Sequence, residues 1–240
     1  MASNDPVAPE PRPRCDTTDM IHIHQMFRST FGRFPELVAG IADGDVGRAA
    51  VVAAHISEIG AMLHHHHEVE DELLWDTLEQ RAPACALHVA VMRSQHTDMG
   101  RLLDGLDAAL PGWAHDARGD RREELVGLLG QIRTALFAHL GQEEERILPV
   151  ASSTMSAREW GQLGRRGRAA VPRDRTFIQL GWIIDSLTPT DRDAWLRHNL
   201  PAPIRLVWRL HGSRRFNAHR DLVLHGPAER VERDGGVSLA

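Results

Sequence analysis

His64-His65-His66-His67-Glu68-Val69-Glu70 and, further along, His139-Leu140-Gly141-Gln142-Glu143 are the two stretches that decide how this chain folds. Each contains a His-x-x-x-Glu pair, His66/Glu70 and His139/Glu143. A spacing of four puts both side chains on one face of an α-helix, one turn apart, so each pair can aim two ligand atoms at one point. Each pair follows a lone histidine: His24 lies 42 residues before His66, and His96 lies 43 before His139. Two such patterns imply two similar helical hairpins closing on one shared metal site.

The hairpin geometry can be tested on the sequence, because residues level with each other in an antiparallel hairpin are equally far from its turn. The midpoint of His24 and His66 is residue 45, and that of His96 and His139 falls between 117 and 118. Ala42-Asp43-Gly44-Asp45 reads as a turn with Asp45 as helix N-cap, and Pro111-Gly112 to Gly119-Asp120 reads as a longer polar connection. At about 1.5 Å rise per residue the four histidines sit roughly 30 Å from the turns, in one layer.

Outward from these stretches, apolar periodicity predicts four helices. The first spans about 17–41, with Met20, His24, Phe27, Phe31, Val38 and Ile41 on one stripe and Pro35 as a kink. The second, about 46–80, carries Ile56, Ile59, Leu63, His66, Glu70 and Leu74. The third, about 84–110, turns Val91, Met92, His96, Met99, Leu103 and Leu106 inward. The fourth, about 121–148, does so with Leu125, Leu128, Ile132, Leu136, His139, Glu143 and Ile147. In every helix the candidate ligands fall on the apolar stripe, where an unpaired polar group is costly. That placement argues for metal more strongly than the number of histidines does.

Residues 20–150 resemble the hemerythrin-like, or HHE cation-binding, family. The matching strings are His24-Gln25-Met26-Phe27-Arg28, His66-His67-Glu68-Val69-Glu70-Asp71, Gln95-His96 and His139-Leu140-Gly141-Gln142-Glu143-Glu144. The resemblance implies an all-α, up-down-up-down four-helix bundle with a non-haem di-iron centre, here followed by a C-terminal helical extension. It makes His24, His66, His96 and His139 imidazole ligands, and Glu70 and Glu143 carboxylates bridging two Fe ions with an oxo or hydroxo group. Mn or Zn are possible substitutes. Ferritin-like bundles use Glu-x-x-His, which this chain does not contain.

Oxygen-carrying members of the family have a further histidine one turn before the third-helix ligand, where this chain has Met92. Two six-coordinate irons offer about twelve positions, and these ligands with one bridging oxygen fill about ten. One open place per iron favours reaction with peroxide, O2 or NO over reversible oxygen storage, unless solvent or His67 fills the gap. His65 and His67 are auxiliary candidates, and His64 is expected to be solvated. His22 and His55 are expected as ordinary surface or core histidines. Asp71, Glu144 and Glu145 are expected on a solvated face or as acceptors for imidazole N–H groups, and Trp75 as packing.

Composition is that of an ordinary globular chain: 240 residues, 42% hydrophobic and 25% charged. All 28 basic side chains are Arg, and Tyr is absent, which excludes a Tyr ligand or radical. No signal sequence and no apolar run of 18 or more residues is evident, so a cytoplasmic location without a membrane span is expected. Cys15 and Cys85 form no disulfide framework. The Pro-rich residues 1–16 are expected to be a disordered leader, 17–150 the bundle, 151–225 the extension and 226–240 a loose tail. Residues 1–150 hold 13 Arg against 24 acidic residues, net −11; residues 151–240 hold 15 Arg against 9, net +6. A capping box at Ser156 and Glu159 opens a short helix, and further helices are expected at 173–186, 190–198 and 203–211. The last, with Ile204, Leu206, Val207 and Leu210 among Arg205, Arg209, Arg214 and Arg215, is the candidate contact for an acidic partner or membrane, unless the extension packs back on the acidic bundle. No nucleic-acid-binding motif is present.

Three function classes follow: a di-iron protein turning over or scavenging peroxide, O2 or NO; a gas, redox or iron sensor signalling through the extension; and a metal buffer without redox work. Catalase-like disproportionation needs no separate donor, whereas other redox turnover needs an external electron donor.

Overall fold

The computed structural model describes residues 15–226, and every regular element among them is helical. Four long helices form the bundle: α1 (Thr18–Ala39), α2 (Val46–Leu73), α4 (Ala86–Asp116) and α5 (Gly119–Arg146). α1 lies against α2 and α5, and α4 against α2 and α5, which is the square of an up-down-up-down bundle. The short α3 (Trp75–Arg81) continues α2 after a break at Leu74, and α6 (Leu148–Thr154) continues α5 after one at Ile147.

Both hairpin turns fall at the midpoints read from the sequence. Gly44 takes the left-handed φ of 80° that glycine adopts without strain, and the Asp45 carboxylate caps α2 by accepting from the Arg48 N–H. The second turn is Ala117-Arg118, with Ala117 at φ 49°. It is far shorter than the polar connection expected, because Pro111 and Gly112 lie inside α4. Proline there forfeits an N–H bond, but the flanking Leu110 and Trp113 are buried, and each such side chain contributes about 1.5–3 kcal/mol. Val91, expected inward, is 44% exposed.

Two apolar clusters fill the bundle. The larger contains Phe27, Phe31, Ile59, Leu63, Met99, Leu103, Leu136 and Leu140. The smaller gathers Met20, Val69, Leu74, Trp75, Met92, Ile147, Met155 and Trp160 at the end away from the turns. The six His and Glu positions of the two sequence patterns fall between these clusters along every bundle helix. Cys15, expected in the leader, is buried in the smaller cluster, its N–H donating to the Ser152 carbonyl. Residues 1–14 of the expected leader, and the tail beyond Gly226, lie outside the described residues.

The extension comprises α7 (Ala157–Ala169), α8 (Thr176–Ser186), α9 (Pro189–Asn199), α10 (Ala202–Val207) and α11 (Ser213–His225), with a π turn at Trp208–Gly212 joining the last two. Helical structure thus runs well past the 203–211 segment read from the sequence. The Ser156/Glu159 capping box forms as its spacing predicts. α7 packs on α2, α8 on α1, and α11 on both α8 and α2. Gly181 permits the α8–α11 contact, since a β-carbon there would collide with the Phe216 ring. By length and composition alone, Val46–Arg81 would pass for a membrane span. In the fold its Val52, Ile56, Ile59 and Leu63 are buried against the other bundle helices.

Candidate metal centre

α1 contributes His24, α2 contributes His66, His67 and Glu70, α4 contributes His96, and α5 contributes His139 and Glu143. Their ligand atoms fall into two adjoining groups, each within 4.8 Å: His24, His66, Glu70 and Glu143; and His67, Glu70, His96 and His139. Glu70 belongs to both. Its Oε1 lies 3.2 Å from His66 Nε2 and its Oε2 lies 3.5 Å from His96 Nε2, so the two carboxylate oxygens face opposite groups. Glu143 Oε2 lies 3.5 Å from His24 Nε2 and 3.7 Å from His139 Nε2, between the groups from the other side.

All five Nε2 atoms, and all four oxygens of Glu70 and Glu143, are buried without a hydrogen-bond partner. Leaving a buried polar atom unpaired costs about 1–3 kcal/mol, and nine converging on one spot are not tolerated by accident. Lone pairs of imidazole and carboxylate, stripped of water and aimed inward, are the donor set for first-row divalent metals. The cluster is therefore a buried His/Glu site able to chelate two metal ions.

The opposite face of three rings is held by hydrogen bonds. His24 Nδ1 lies 2.9 Å from Glu144 Oε1, which also accepts from Arg28 at 2.6 Å. His96 Nδ1 lies 2.8 Å from Asp71 Oδ1, which also accepts from Trp75 Nε1 at 2.6 Å. His139 Nδ1 lies 3.0 Å from Gln95 Oε1, and Gln95 is itself fixed by donating to Gln142 at 3.1 Å. Each contact places the proton on Nδ1 and frees the Nε2 lone pair for a metal. Asp71 and Glu144 thus act as the imidazole acceptors expected of them, and Trp75 adds a hydrogen bond to its packing.

Electrostatics without metal agree with this layout. Burial, reinforced by neighbouring imidazoles, lowers His66 and His67 well below the usual histidine range and brings His139 to about 3, so these rings stay neutral. Burial, with the facing Glu143 carboxylate, raises Glu70 well above the usual range, and burial also raises Glu143. Two carboxylates in one dry pocket repel until a cation joins them. Burial would raise Glu144 as well, but its hydrogen bonds from His24 and Arg28 prevail and hold it at about 2.

His65 does not join the cluster; it faces Glu68 at 3.3 Å and the Arg166 carbonyl at 3.4 Å. His64, exposed, pairs with Glu68 at 3.3 Å. His67, weighed from sequence only as auxiliary, stacks on His96 with ring centroids 4.1 Å apart and stands in the second group as fully as His96 itself. The signal was present: His67-Glu68-Val69-Glu70 has a spacing of three, which also shares a helix face. Gln95, part of the Gln95-His96 string, takes a role that no spacing announces, its Oε1 holding the His139 ring. His55 is buried, with Glu58 and His219 around it, and Arg175 donates to both Glu58 oxygens.

No curated protein and no solved structure matches the chain. The Hemerythrin HHE cation binding domain matches residues 16–151, more than half of the chain and all four bundle helices with the whole His/Glu cluster. The chain belongs to the hemerythrin HHE cation-binding family.

Proposed function

We propose that this chain is a non-haem di-iron protein that reacts with a small oxidant or gas: peroxide, O2 or NO. His24 and His66 would hold one iron, His67, His96 and His139 the other, with Glu70 and Glu143 spanning the pair. The single observation that supports this most is the set of nine buried, unpartnered ligand atoms. Mn and Zn suit the same donors, and the choice of iron rests on the family.

Bound iron would supply Lewis acidity and exchangeable electrons. The chain supplies the rest. Asp71, Glu144 and Gln95 keep the Nδ1 protons in place, Arg28 fixes Glu144, and Phe27 packs on His66 at 5.3 Å between ring centroids, keeping bulk water out. No external electron donor is needed for disproportionation of peroxide, which is its own oxidant and reductant.

With His67 as a ligand, fewer coordination places stay open than the sequence alone implies. About eleven of about twelve places are then filled, and the one left belongs to the His24/His66 side. A small molecule would be met at one metal rather than between two open ones. This supports reversible gas binding, and hence sensing, as the second reading. Both are decided by metal content and the optical spectrum of natively purified protein, followed with peroxide while oxygen release is recorded. Two irons per chain with sustained oxygen evolution supports turnover. Reversible spectral change with O2 or NO and no turnover supports sensing. Zinc held as readily as iron, with no spectral response, leaves a metal buffer.

A further inference from the structure

From residue 194 to residue 220 the chain contains no carboxylate and six arginines. Some arginines of the extension pair with the bundle. Arg175 pairs with Glu58, and Arg166 with Glu72. Arg209, Arg214 and Arg215, by contrast, are exposed and form no ion pair among the described residues. From α10 to the first half of α11 the positive charge therefore has no carboxylate of its own segment to offset it.

The same segment exposes apolar surface. Ile204, Leu206, Val207 and Leu210 are 43%, 57%, 44% and 63% exposed, whereas Trp208 and Phe216 on the other face are buried against Phe177 and Trp182 of α8. The inward face holds the segment rigidly to the fold. The outward face presents four aliphatic side chains within seven residues, flanked by unpaired guanidinium groups. A helix with an apolar stripe rimmed by arginine is built to lie in an interface with its apolar face sunk among acyl chains. Guanidinium also matches phosphate oxygens bidentately.

We propose that this face docks the protein on an anionic phospholipid surface. A second copy would bring like charges together on the same patch, whereas anionic headgroups complement it. The surface lies on the extension, away from the His/Glu cluster, so docking is separate from the metal chemistry.

The test is flotation of the full-length, metal-loaded chain with vesicles of phosphatidylcholine alone and of phosphatidylcholine mixed with phosphatidylglycerol. Binding to the anionic vesicles only, weakened by salt, is expected. Replacing Arg209 or Arg214 by Gln should each lower the partition coefficient about fivefold. Leu206→Asp with Leu210→Asp should abolish binding while circular dichroism and metal content stay as in the parent, since both leucines are exposed. Absence of binding to anionic vesicles, or equal binding by these variants, overturns the proposal. So does concentration-dependent self-association that the leucine variants abolish without any vesicle binding, which would assign the face to a second copy.

Discussion

Glu70→Gln should stabilise the metal-free protein and weaken the metal-loaded one. Glu70 is fully buried, both its oxygens lack partners, and burial together with Glu143 raises it well above the ordinary value of 4.5. At neutral pH an unfolded Glu is ionised, so the metal-free fold must either hold a proton there or bury a charge. Glutamine keeps the shape and needs neither. Relieving the protonation penalty is worth about 1.4 kcal/mol for each pH unit above the ordinary value, at about 2–4 °C in Tm per kcal/mol for a chain of this size. A carboxyl raised on folding contributes stability that is fully present below 4.5 and is lost as pH rises through the raised value. Parent and variant should therefore converge under acid and separate toward neutrality. With metal the sign reverses. Glu70 is the one residue present in both ligand groups, so the variant forfeits metal that would stabilise the fold by about 2.7 kcal/mol at a hundredfold excess over Kd. Thermal unfolding of chelator-treated and iron-loaded samples, with metal counted by mass spectrometry, reads both signs. A metal-free variant less stable than its parent at neutral pH, or one that keeps its full metal complement, would refute the reasoning.

His67→Ala should leave one metal per chain instead of two, and adding Met92→His should restore the second, because residue 92 lies buried one turn before His96; unchanged stoichiometry in the single variant would remove His67 from the ligand set. His139→Ala should lose most bound metal and His22→Ala should retain it, and equal metal content in the two would count against the site. Asp71→Asn should lower metal affinity about 10–100-fold with the fold intact, as measured by competition with a chromophoric chelator. Burial, with His219 and Arg175 nearby, lowers His55 from 6.5 to about 3, so its contribution to stability is present above 6.5 and lost as pH falls toward 3. The α8–α11 contact with α2 should loosen over that window, seen as rising protease sensitivity after residue 175 and changed Trp182 fluorescence; a flat profile would show that His55 does not hold the extension.

The bundle was legible because its signals are local. Apolar periodicity, the Asp45 cap and the mirror spacing of His24/His66 and His96/His139 all act within one helix or one hairpin, and both turns formed where those spacings centre. Pro111 misled because a strong local breaker was overruled by the burial of Leu110 and Trp113, a tertiary effect that no window of sequence contains. The extension was legible in its short helices, since the Ser156 box opens α7 and the segments expected at 173–186, 190–198 and 203–211 fall on α8, α9 and α10. α11 carries no such signal: its N-cap position, Gly212, makes no side-chain cap, and the helix exists because Phe216 and Val223 bury against α8 and α2.

His67 is the informative case. Neighbouring residues on a helix point about 100° apart, so a periodicity that places His66 in the cluster turns His67 away from any single target. The site is not a single target. A site made of two adjoining groups subtends a wider angle from α2, and a helix facing both can supply one group with residue 66 and the other with residue 67, while Glu70, four from one and three from the other, reaches each. Oxygen-carrying family members take a third imidazole from the third helix; with His67 as a ligand it would be met here from the second, and Met92 fills the space as a buried apolar side chain. The substitution and the histidine run are then one feature. Two adjacent histidines would let α2 serve two groups, which is why Met92→His is expected to rescue His67→Ala and why Met92→His alone should add no metal to the parent.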